Sequence, residues 1–404
     1  MKKLLKISLG ILTGIGGFLD AGAIATNAAA GANFGTRLLW VTALGTLFII
    51  FLTEMSGRVA VVSTETIADA IRERFGFRYH IIPLTAEVIV DFFILSAEIG
   101  GICIALQFVT GIAFRWWALP VGFMIWFVIW IGSFGHIEKA TAFLGLITIC
   151  FLVAAFRLHP PLHQIAWGLT PRGPAHDGLQ YWYLAVSIMG GIVTPYVLYF
   201  YSAGAVEDKW DMNELGINRG VATVGMTFGS VIAMAIMIVT AGTLQHAGIH
   251  IDRYEQAPLM LVPIFGRGGV LLFAASLAIA CFGAAIETAL AVSYVVAQSF
   301  GWEWGEDLPP SRNARFASTY TLLILLCSLL VFTGLDPLKL TMFSMALAVV
   351  ILPLVLMPLL VIMNDEKYLK NYRNGWISNT VGFAALIAAI VMSVVAIPLE
   401  FLGG

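Results

Sequence analysis

The chain has 404 residues, 59% of them hydrophobic and only 11% charged, with a formal net charge of −2. A soluble domain carries roughly 25% charged residues, and no basic tract is present to meet nucleic acid, so both of those classes are excluded. Apolar runs of about 20 residues recur from end to end, the length a helix needs to cross hydrocarbon rather than the short alternating strands of a barrel.

Eleven membrane helices are expected, over 7–31, 37–60, 80–110, 116–133, 137–156, 180–204, 218–246, 268–299, 315–334, 338–363 and 376–402. Lys2, Lys3 and Lys6 precede the first run as they would in a secretory signal. The run is too long for that and contains Asp20, so it reads as the first membrane helix. An ionised carboxylate at membrane depth costs about 2.5–3.5 kcal/mol, and such groups face cavities and bind something. Between the second and third spans, residues 63–75 read as a short amphipathic helix, with Ile67, Ile71 and Phe75 on one face and Ser63 or Thr64 as its cap.

In the third span Asp91 and Glu98 are seven residues apart and share a face. Glu287 lies inside the eighth, and these three acids are candidates for a proton or coupling-ion relay. Glu54 and Glu87 read as packing at the interface. The segment 157–179, with four prolines and irregularly spaced His159, His163 and His176, reads as a solvated loop rather than a metal site. Cys103, Cys150, Cys281 and Cys327 all fall in apolar segments without metal-ligand spacing and read as small packing residues. Lysine and arginine placement puts fifteen of 22 on one side, so the N-terminus is expected in the cytoplasm and the C-terminus outside the cell membrane.

Two spans are interrupted by helix-loosening residues in corresponding places. The first holds Gly14, Gly16, Gly17 and Gly22 around Asp20; the sixth holds Gly190-Gly191-Ile192-Val193-Thr194-Pro195-Tyr196. Each opens a five-helix block, and paired broken helices at matching positions point to a transporter of inverted repeats with its site near the midplane. The repeats would cover about 7–156 and 180–363, followed by an extra helix at 376–402. Backbone carbonyls near Ala23 and Gly191 become available to a solute where the helices unwind.

The stretch Phe18-Leu19-Asp20-Ala21-Gly22-Ala23-Ile24-Ala25-Thr26-Asn27 resembles the first-helix motif of the Nramp divalent-metal transporters, whose core reads Asp-Pro-Gly-Asn. Val193-Thr194-Pro195-Tyr196 resembles the family's sixth-helix Met-Pro-His. Leu352-Pro353-Leu354, Pro358-Leu359-Leu360 and Asn364-Asp365 resemble its tenth helix, and Ile71-Arg72-Glu73-Arg74-Phe75 its inner linker. The resemblance implies a leucine-transporter-type fold, no enzyme activity, no cofactor, and a small cation as substrate with protons as the coupling ion. It also implies metal ligands at Asp20 and Thr194, with Ala23, Gly191, Tyr196 and Tyr201 lining the substrate site.

Asp20 alone keeps the family's ligand type. Ala23 stands at the asparagine position, Thr194 at the methionine, Tyr196 and Tyr201 at two histidines, and Met345 at a glutamine; Leu95 replaces one of an acidic pair whose other member is Glu98. An oxygen-only set without the thioether suits Mg²⁺ as well as Mn²⁺. A carrier of a small organic cation, held by Asp20 and an aromatic ring, and a non-transporting sensor are the other readings. Oligomeric state is not legible in the sequence.

Overall fold

The computed structural model describes residues 19–131, 143–306 and 308–403, and among them every regular element is helical. Gly14, Gly16, Gly17, the three N-terminal lysines and Lys139 lie outside the described residues, as do residues 137–142 of the fifth expected span. Nine described helical stretches are long and apolar enough to cross a membrane, or ten when Phe143–Arg157 and Leu162–Gly168, bent by 118°, are taken as one.

The first stretch, Ala21–Ser63, is a hairpin. Helix α1 (Ala21–Phe34) ends at Gly35, whose φ of 63° is one that glycine adopts without strain, and α2 (Leu39–Ser63) follows after a single 3₁₀ turn. Thr42 donates to the Asn27 side chain at 3.0 Å. Fifteen residues of straight helix would hold those positions about 22 Å apart, so the chain reverses at Gly35.

The amphipathic segment forms helix α3 (Ile67–Phe75) and buries Ile67, Ala68, Ala70 and Ile71. Its cap is Thr66, which accepts from the Asp69 amide, rather than Ser63 or Thr64. Ser63 belongs to α2, and Thr64 takes the left-handed conformation that terminates it. The α3 helix is tied down by Thr66 to Gln298, by Ile67 N–H to Ser202, and by Arg72 to the Gln298 carbonyl.

The long α4 (Phe77–Thr110) follows, then α5 (Ala118–Ile131), α6 (Ile149–Arg157) and α7 (Leu162–Gly168). The expected solvated loop is thus partly helical. Gly168 packs so closely on the Gly35 turn that a Cβ there would lie 2.2 Å from the Thr36 carbonyl. A cavity of about 750 Å³ remains between this turn, α7 and the neighbouring helix, lined in part by Arg37, His163 and Arg172.

The sixth expected span is divided. Helix α8 (Gly178–Ile192) stops before Val193 and Thr194, and α9 (Pro195–Glu207) resumes. After it come α10 (Leu215–Thr243), α11 (Gly268–Phe300), α12 (Ala314–Phe332), α13 (Pro337–Asn364) and α14 (Trp376–Gly403). The two longest helices, α4 and α11, pack along one another, and α13 lies against α4, α8 and α14. The four cysteines carry no disulfide; three are buried and Cys150 is half-buried.

Candidate functional site

Asp20 is the N-cap of α1. Its backbone is extended, and its carboxylate accepts from the Ala23 amide at 2.6 Å. Glu98, reaching across from α4, accepts from the Ala21 amide with both oxygens, at 3.1 and 3.2 Å. Two carboxylates from different helices therefore meet one helix N-terminus. The unsatisfied amides and the positive end of the α1 dipole offset part of their charge. Cys281 of α11 is hydrogen-bonded to Glu98, and the Tyr254 hydroxyl donates to the Ala21 carbonyl at 3.2 Å. Asp20 and Glu98 are both buried.

Helix α8 arrives from the other side. Within a helix the Gly191 carbonyl would accept from the amide four residues on, but that residue is Pro195, which has none. This carbonyl and its neighbours form the negative end of α8, suited to a cation. Gly191 is where α8 meets α1 and α13: a Cβ on it would lie 3.5 Å from the Ala23 amide and 3.3 Å from the Met345 sulfur. A Cβ on Gly22 would lie 2.2 Å from the same sulfur. Met345 of α13 is fully buried in this notch. Beside the oxygens expected from the sequence, a thioether from α13 thus lies against Gly22 and Gly191.

Thr194 is the buried N-cap residue of α9, and Tyr196, one residue into that helix, is buried within electrostatic range of Asp20, Glu98, Asp91 and Glu287. Ala23 takes part through its backbone: its amide positions Asp20, while its carbonyl accepts from Asn27 at 2.8 Å. Tyr201 stands apart, its ring against Gly57 of α2 and edge-on to Trp210. Glu287 is half-buried on α11. Asp91 is fully buried, two turns along α4 from Glu98. Among the described residues no group of three or more His, Cys, Asp or Glu side chains is placed to hold a metal ion. A cation at the break would thus depend on backbone carbonyls and the thioether beside the acids.

From the sequence Asn27 and Tyr254 carried no assigned role, Cys281 was read only as packing, and Met345 was not read as a donor. A helix-periodic apolar pattern looks the same whether such residues face lipid or a partner helix, and only the tertiary crossing brings them together. Glu54 is where packing was expected, with Arg58 at 2.9 Å and Arg219 at 3.7 Å.

Residues 10–398 match the model of the family described as natural resistance-associated macrophage protein-like. The chain belongs to the Nramp family. It is 26% identical over 394 residues to the divalent metal cation transporter MntH of Aeromonas hydrophila, covering 93% of this chain and 91% of that protein. The fold is similar to the crystal structure of the Eremococcus coleocola manganese transporter in complex with an aromatic bis-isothiourea compound. The TM-score is 0.82 at 18% identity, over 98% of this chain and 87% of that one. It is also similar to MhsT in complex with L-phenylalanine, with a TM-score of 0.68 at 14% identity over 97% and 98% of the two chains. This Nramp-family chain is accordingly an all-helical, multi-pass membrane protein of a transporter family, not an enzyme, with a leucine-transporter-like fold.

Proposed function

We propose that this chain is a secondary transporter of a divalent transition-metal cation, Mn²⁺ in preference to Mg²⁺, working by alternating access. The carrying observation is that Gly191, beside the break between α8 and α9, lies against the Met345 sulfur and against the Ala23 amide that Asp20 caps. A carboxylate and a carbonyl alone would serve any hard cation; a thioether favours the softer metals over Mg²⁺ and Ca²⁺. The relatives named above as metal and manganese transporters support the same reading. Thr194 and Tyr196 complete the lining, while Tyr201, turned toward Gly57, is left to packing.

Counting the Ala21–Ser63 hairpin as two crossings and the bent α6–α7 pair as one gives eleven. The repeats over 7–156 and 180–363 then bring the two interrupted helices together at the bilayer midplane, with the N-terminus cytoplasmic by the charge bias. Glu98, bonded to the backbone next to Asp20, is the acid best placed to couple metal movement to a proton, with Glu287 reached through Tyr196. The chain works in the cell membrane on a small cation, with lipid as its surroundings.

Uptake into liposomes by purified protein tests this. Asp20→Asn should lower Mn²⁺ uptake by roughly 100-fold or more, since removing one member of a buried charged pair costs about 3–5 kcal/mol. Met345→Ala should keep partial Mn²⁺ uptake but let Mg²⁺ and Ca²⁺ compete. Uptake of amines but not metals would favour the organic-cation reading; binding of Mn²⁺ without uptake would favour a sensor.

A further inference from the structure

Three turns toward the α3 end of α4 from Glu98, a second polar group is buried. Glu87 and Asp91 sit one turn apart on α4 and are each 1% exposed. All four of their carboxylate oxygens lack a hydrogen-bond partner. Tyr199 of α9, also 1% exposed, lies within electrostatic range of both acids, and its hydroxyl has no partner either. Five buried oxygens, from two helices, are therefore unsatisfied in one place.

Helix geometry sets the distances. At 1.5 Å per residue, Asp91 lies about 10 Å and Glu87 about 16 Å along α4 from Glu98. Val90 and Ile94 of α4 pack in one buried cluster with Tyr196, Ala291, Met345 and Ala348. Tyr196 and Tyr199 share a face of α9, and Tyr196 is within electrostatic range of both Asp20 and Asp91. The two groups are thus successive stations along one line between α4 and α9.

We propose that Glu87, Asp91 and Tyr199 form a second site for a hard divalent cation, one that receives the transported metal after it leaves Asp20; this rests on the transport reading above. Two carboxylates supply two negative charges, and neither is paired with a lysine, arginine or histidine among the described residues. A divalent ion balances that charge. No hydrogen-bond partner reaches any of the four carboxylate oxygens. A metal ion spaces its ligands apart, holding each at about 2.0–2.6 Å from itself. The set contains no sulfur, so it binds less selectively than the Met345 site and passes the ion on.

Mn²⁺ binding to the full chain in lipid nanodiscs, counted by equilibrium dialysis and by the electron paramagnetic resonance of bound Mn²⁺, tests the proposal. Wild type should bind two ions per chain. Asp91→Asn and Tyr199→Phe should each remove the second, with Asp20 still loaded, and should slow Mn²⁺ release into liposomes. Asp20→Asn should retain one ion, at Glu87 and Asp91. A melting curve like that of wild type verifies that each variant folds. One ion in wild type and none in Asp20→Asn overturns this proposal while leaving the transport reading intact. No binding to wild type overturns both.

Discussion

The broken-helix centre and the α3 face are held together by different physics. At the centre, Asp20 and Glu98 are met by backbone amides, and three glycines let α1, α8 and α13 touch almost backbone to backbone. At the α3 face the joints are charged: Arg74 to Asp365 at 2.9 Å, Lys367 to Glu73 at 2.5 Å and Arg373 to Glu366 at 3.2 Å. Exposed pairs of this kind contribute little, about 0–1 kcal/mol, and salt screens them. The centre is therefore specified by shape, and the face is adjustable by ionic conditions.

Three substitutions sharpen that contrast. Gly190→Ala should have the largest effect, because its Cβ would lie 2.0 Å from the Met345 carbonyl, and backbone cannot step aside as a side chain can. A loss of about 3 kcal/mol, at the upper end of overpacking costs, should appear as a large fall in melting temperature together with lost uptake. Gly22→Ala should cost less, about 1–2 kcal/mol, since it meets the flexible end of Met345. Combining it with Met345→Ala should restore the melting temperature, and failure to do so would separate the glycine from the sulfur.

The smallest effect belongs to the face and is read against pH. Burial, and after it the neighbouring Glu73 carboxylate, pushes the Glu65 carboxyl up to about 7. Glu73, hydrogen-bonded to Lys367, is held below the usual carboxylate range. Glu65 is thus the member of the pair that keeps its proton. A carboxyl whose folded pKa is raised binds more protons folded than unfolded. Its stabilising contribution is complete below about pH 4.5, the unfolded value, and is lost as pH rises through about 7. Melting temperature should fall over that window in wild type and change less in Glu65→Gln.

Legibility in the sequence followed the range of each interaction. Asp20, the glycine pair at 190–191 and Pro195 act on their own backbone, and the interruption of the sixth helix could be read from them. The Thr66 cap was missed by two residues because Ser63, Thr64 and Thr66 are all competent caps, and the choice fell to where α2 runs out. The meeting of Met345 with Gly22 and Gly191 joins residues more than 150 positions apart, and no local pattern marks it. Glu87 was assigned to packing because a carboxylate's lack of partners appears only once neighbouring helices are in place.

Pro195 has a consequence beyond its own turn. A ring closed onto nitrogen, where every other amino acid carries hydrogen, keeps two collinear rods from annealing into one continuous cylinder. A residue with an N–H there could bond back to the Gly191 carbonyl and, on the transport reading proposed above, silence an acceptor offered to the cation. On that reading, passage hinges on one atom that the chain leaves out.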